Sequence, residues 1–114
     1  MGCRTSRMKF LCLAYGSERD WKALSKDRQD ELLAQDEVIR RRGAYVAPVS
    51  TTVTSVRGES VTVENSAETN SPLPLAGFSI IEADNVAQVV ELVRNTPCAQ
   101  ANGVIEIRAI HEKN

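Results

Sequence analysis

Two strand–helix–strand patterns, one near each end of the chain, limit the folds open to it more than any other feature. In the first, residues 8–15 (MKFLCLAY) form an apolar run stopped by Gly16, the signature of a buried strand. Residues 17–20 read as a polar turn. A helix is predicted over residues 26–42. Ser25 is placed to accept a free first-turn N–H, Asp27 suits the positive end, and Arg40-Arg41-Arg42 suit the negative end before Gly43 stops the helix. Leu32, Asp36 and Ile39 share one face of it, so Asp36 interrupts or borders the apolar stripe. A second strand follows over 44–49, with Pro48 marking an edge or an end. The other pattern runs from a strand at 77–83 (GFSIIEA) to a helix at 86–95 capped by Asp84 or Asn85. Val86, Val89, Val90 and Val93 share a face of that helix, which Thr96-Pro97 ends. The alternating GVIEIRAI closes the pattern as a last strand.

Between the two patterns, TTVTSV and VTV flank Arg57-Gly58-Glu59-Ser60, which reads as a β-hairpin. The order β-α-β, hairpin, β-α-β predicts an α+β fold. It is the ferredoxin-like β-α-β-β-α-β plan with an extra hairpin, an antiparallel sheet carrying both helices on one face. Val and Ile on both sides of the strands leave a second apolar face to cover. The economical cover is a second copy, sheet against sheet about a twofold axis, which makes a homodimer and a dimeric α/β barrel.

Composition excludes several classes. The chain has 114 residues, enough for one domain, with 42% apolar residues and a net charge of −1. That charge gives no basic surface for a nucleic acid. No apolar run approaches the roughly 20 residues of a membrane span. Cys3, Cys12 and Cys98 are odd in number and show no metal-ligand spacing, so neither a disulfide scaffold nor a metal is expected. A reducing cytoplasm follows from that usage. No glycine-rich phosphate loop is present, and no cofactor is expected. Met1-Gly2 to Ser6 fits an N-myristoylation pattern with Cys3 beside it. The plainer reading makes residues 1–7 a polar extension before a single domain at 8–114.

The stretch from Glu64 to Leu75 is longer and more polar than most connections, which makes it the natural place for a site. Five segments here resemble the YCII-related family, in particular its DGPF-loop branch. They are MKFLCLAYGSERDW, Arg41-Arg42-Gly43-Ala44, TTVTSVRGESVTV, Ala67-Glu68-Thr69, and Gly103 through Arg108. The resemblance implies a dimeric ferredoxin-like barrel with a cleft between the sheet and its loops. It implies that Tyr15, Ser66, Glu68 and Thr69 line a ligand site there. Two departures stand out. The slots for Asp-Gly-Pro-Phe hold Val63-Glu64-Asn65-Ser66, and the slot where several relatives carry a helix histidine is Leu32. The only histidine is His111, read as an exposed tail residue.

Three functions stay open. The first is a non-catalytic small-molecule-binding or regulatory and interaction domain; the missing histidine and rewritten loop lean this way. The second is a lyase- or isomerase-type enzyme abstracting a proton from a small organic acid, with Asp36 or Glu68 as base and Tyr15 steering the substrate. That reading requires one of these carboxylates to face an enclosed cleft. The third is a dimeric scaffold whose cleft is filled by the chain's own Leu73 and Leu75.

Overall fold

A computed structural model describes residues 7–66 and 73–111. Four strands form one antiparallel sheet: β1 (Met8–Tyr15), β2 (Tyr45–Pro48), β5 (Leu75–Ala83) and β6 (Val104–Ala109), in the order β2-β5-β1-β6. That is the strand order of the ferredoxin-like plan. The sheet is open, with β2 and β6 as its edges, and no closed barrel forms among the described residues. Pro48 is the last residue of edge strand β2, where its missing N–H costs no ladder bond.

Alternation along the strands decides which face is inside. Phe10 and Cys12 of β1 pair with Ile81 and Ser79 of β5, and all are buried. Ile107 and Ala109 of β6 stand beside them. The helices α2 (Lys26–Arg41) and α3 (Val86–Val93) close this one face through Ile39, Val89 and Val93. Gln35 of α2 donates to the Leu92 carbonyl of α3 at 2.7 Å, tying the two helices together.

Capping follows the residue types. Ser25 Oγ accepts the Arg28 N–H at 3.1 Å and Asn85 Oδ1 accepts the Gln88 N–H at 3.0 Å. Gly43 takes φ 95° just past α2. Two segments differ from expectation. Residues 18–20 belong to a short helix, α1 (Glu18–Lys22), capped by Ser17, rather than to a turn. Ser17 Oγ accepts the Asp20 N–H at 3.1 Å and donates to the Asp20 carboxylate at 2.8 Å, and this reciprocal cap starts the helix. Pro97 begins a further turn of helix, α4 (Pro97–Gln100), after ending α3. A proline at the first helical position forfeits only an N–H that had no partner anyway.

The strands β3 (Thr52–Arg57) and β4 (Ser60–Asn65) pair antiparallel as a separate two-stranded sheet, and every residue of both is exposed. Gly58 has φ 63° and Glu59 does not share a positive φ, the pattern of a type II′ turn. β4 runs further than its composition suggests. Thr52 pairs with Asn65 and Val53 with Glu64, so the Val63-Glu64-Asn65 segment is strand and not loop. The chain measures 54 × 46 × 18 Å. The 18 Å dimension fits one helix layer on one sheet, and among the described residues no helix packs on the sheet's other face.

Candidate functional site

The site grows from α2 and from the end of the sheet where β1 and β5 meet. Asp36 is one turn after Leu32 on the side of α2 that turns toward the sheet. Leu32 and Ile39 are fully buried, whereas Asp36 is half-buried at the edge of their stripe. Beneath it a cavity of about 290 Å³ opens between α2, α3, α4 and the sheet. Apolar walls come from Leu33, Ile39, Val46, Val93 and Ile105. The polar groups that reach it are Asp36, Arg40, Ser79, Thr96, Cys12 and Cys98. Such a ratio of apolar wall to a few convergent polar groups is typical of a small-molecule site.

Close backbone approaches shape its rim. A Cβ on Gly77 would lie 2.8 Å from the Ala47 carbonyl oxygen, so only glycine lets β5 pass β2 at that point. β5 also carries one extra residue opposite Ala14 and Tyr15 of β1, and this bulge brings Ala76 to the cavity.

Electrostatics distinguish Asp36. Burial raises its pKa above the ordinary carboxylate range; Arg40, one turn along, opposes the rise, and Glu37 adds to it. Arg40 itself pairs with Glu37 at 3.1 Å. Among the described residues no protein donor hydrogen-bonds the Asp36 carboxylate. Both thiols are free, and burial pushes both up. The charge of Asp36 adds to the rise at Cys98, while a hydrogen bond with Ser79 opposes it at Cys12. Thiols held protonated in this way are poor nucleophiles, so acid–base or binding chemistry suits the cavity better than attack by sulfur.

A pH dependence follows. The folded Asp36 carboxyl holds its proton more tightly than the unfolded one does. Raising the pH from about 4 therefore costs the folded state stability until the raised pKa is passed, after which the cost is constant. Asp36→Asn removes that cost. Thermal melts from about pH 3 to about pH 8 should show a gap opening across this window, with the variant the more stable form at neutral pH. A gap that ignores pH would contradict the assignment.

The other predicted residues are dispersed. Tyr15 lies on the opposite face of the sheet from Phe10 and Cys12, half-buried, and does not line the cavity with Asp36. Burial raises its phenol pKa, and the charge and hydrogen bond of Glu106 raise it further. Ser66 sits at the base of the β3–β4 hairpin, its N–H donating to the Thr51 carbonyl at 2.7 Å. Glu68 and Thr69 lie outside the described residues. Leu73 and Leu75 do not fill the cavity. His111 is exposed after β6.

Cys98, Ser79 and Thr96 were missed as cavity residues. Cys98 and Thr96 flank a proline that reads as a helix stop, and Ser79 sits in an apolar strand run. Only the strand parity that puts Ser79 beside Cys12 could have found one of them. A second groove of about 370 Å³, at the other end of the sheet, is lined by Arg7, Lys9, Arg42 and Glu82. Arg7 there donates to the Glu82 carbonyl at 3.1 Å. Among the described residues no group of His, Cys, Asp and Glu is arranged to hold a metal ion, and no helix is long and apolar enough to cross a membrane.

No curated protein matches the sequence. Residues 8–114, which span every strand and helix described above, match the model of the YCII-related domain, and the chain belongs to that family.

Proposed function

We propose that this YCII-related domain binds a small, largely apolar molecule in the cavity beneath α2, and that Asp36 is its polar anchor. One observation carries the reading: a half-buried carboxylate without a hydrogen-bond donor of its own faces a cavity of about 290 Å³ with apolar walls. The carboxylate keeps some contact with solvent and has no protein donor, so it is available to accept a hydrogen bond from a ligand. The rewritten 63–66 segment fits a divergent member of the DGPF-loop branch, and the absence of the helix histidine favours binding over turnover. Two free thiols suit a reducing cytoplasm. A homodimer, joined through the open sheet face into a dimeric barrel, completes the reading.

The test is thermal shift of the full chain against small organic acids, nucleotides and aromatic metabolites. A ligand at about 100 times its Kd stabilises by about 2.7 kcal/mol. A hit should lose its shift in Asp36→Asn, each protein being compared with its own unliganded melt. A shift that survives Asp36→Asn but disappears in Glu68→Ala would move the site to the loop and overturn the assignment.

A second reading has its own support. Asp36 lines the cavity, which is partly open to solvent, and burial moves its pKa upward, toward that of a useful base. In that case the domain is a lyase- or isomerase-type enzyme acting on a small organic acid. Turnover of a hit from the same panel, abolished by Asp36→Asn, would replace the binding reading.

A further inference from the structure

β5 runs past the start of its neighbour β2, and the gap this leaves opens into the second groove. β2 begins at Tyr45, which pairs with Ile80, whereas β5 continues through Ile81, Glu82 and Ala83. Gly43 does not extend the ladder, because its N–H turns back to the Arg40 carbonyl at 2.9 Å. Pairing shows what faces the gap. Ile110 N–H donates to the Lys9 carbonyl at 2.9 Å, so the backbone groups of Lys9 are directed to β6. Glu82 stands opposite Lys9, and its own N–H and carbonyl are therefore directed away from β1, into the gap. Arg7 Nη2 donates to that carbonyl at 3.1 Å. Among the described residues the Glu82 N–H has no acceptor.

We propose that this groove, of about 370 Å³, binds a small molecule that carries a phosphate or carboxylate group on an apolar body. Arg7, Lys9 and Arg42 line it against the one carboxylate of Glu82, in a chain whose net charge is −1. Among the described residues no ion pair joins Arg7 or Arg42 to a carboxylate. A guanidinium fork matches the oxygens of either anion, and the edge N–H of Glu82 adds a fixed donor beside it. The negative end of α2 lies near and would oppose an anion. It is blunted, because the Arg42 and Gly43 N–H groups cap the Ile39 and Arg40 carbonyls at 3.1 and 2.9 Å. Ile81, Leu92 and Tyr45 supply the apolar surface for the body of the ligand. The groove shares only Ile39 with the lining of the cavity beneath α2, so binding here does not involve Asp36.

Amide NMR of the full chain tests this, with phenyl phosphate and benzoate as probes and sodium chloride holding the ionic strength constant. The amides of Glu82 and of residues 42–44 are expected to shift saturably with at least one probe, and the tighter probe names the anionic group. Arg42→Gln should weaken binding by about tenfold, the loss of one charge-assisted hydrogen bond. Arg42 is exposed, so the rest of the spectrum should stay that of the wild type. Glu82→Gln should tighten binding, since it removes the one opposing charge, and a gain of this kind cannot come from a damaged fold. Asp36→Asn should leave the titration unchanged, which keeps this site separable from the cavity reading. Shifts that chloride alone reproduces, or that both Arg42→Gln and Glu82→Gln leave unaltered, overturn the site. Shifts centred on Ser79 and Cys98 and lost in Asp36→Asn would place the probes beneath α2 and overturn it as well.

Discussion

Gly103→Ala should lower the unfolding free energy by about 3 kcal/mol or more, the upper end of what overpacking costs. Gly103 lies between α4 and β6, where its N–H donates to the Cys98 carbonyl at 3.0 Å. A Cβ there would overlap the Tyr15 carbonyl oxygen and stand 2.5 Å from the Cys98 carbonyl oxygen. Both obstacles are backbone, so no side chain can rotate away. Relief would require separating β6 from β1, or α4 from the end of the sheet. Urea denaturation of the purified variant measures the loss. Gly43→Ala is the contrast. Its Cβ meets nothing within 4 Å, and only the φ of 95° resists it. About 1 kcal/mol is expected there. Equal losses at the two sites would mean that the chain around Gly103 shifts enough to relieve the carbonyl clash.

Leu32→Ala should cost about 2–5 kcal/mol, the range for emptying a fully buried leucine site. Leu32 is 1% exposed, among the most buried large side chains of the described residues. It occupies the helix position at which the family resemblance leads one to look for a histidine. Leu32→His is expected to destabilise at least as much as Leu32→Ala. The imidazole would exchange packed methyls for polar nitrogens with no donor or acceptor prepared for them. It should also restore no base, because burial disfavours the charged imidazolium. Chemical denaturation of both variants, beside the wild type, checks the order. If Leu32→His proved neutral, the α2 face would be more open than its burial indicates, and a histidine could be accommodated there.

These outcomes bear on the proposed site beneath α2. α2 still carries a polar group toward the cavity, but one turn later, at Asp36, and the leucine that precedes it belongs to the core. Binding through Asp36 is therefore compatible with a helix that has no histidine. The two largest expected losses lie outside the cavity lining, at positions that hold its walls in place. Stability and ligand response can thus be measured separately.

Much of the fold was legible because local chemistry and the tertiary structure agree. Ser25, Gly43 and Asn85 mark helix ends by hydrogen bonding and by φ, which depend on few neighbours. β1 falls at Met8–Tyr15, as its apolar run and Gly16 predict. Elsewhere, local reading was incomplete. Ser17 and Asp20 looked like a turn because each favours turns, although their reciprocal bonds cap a helix. Glu64 and Asn65 looked like loop because they are polar, yet pairing with Val53 and Thr52 makes them strand.

The sequence by itself determined the order of the strands and of the two longer helices, the caps of those helices, and the presence of a carboxylate at the border of the α2 stripe. Spacing and side-chain chemistry suffice for these, since they act within a turn or two of the chain. Only the tertiary structure decided that Asp36 shares a cavity with Cys98, Ser79 and Thr96, and that Tyr15 stands on the other side of the sheet. Those relations depend on strand order and on the parity of pairing across β5, β1 and β6. They join residues dozens of positions apart, through close approaches at Gly77 and Gly103 that no local pattern specifies.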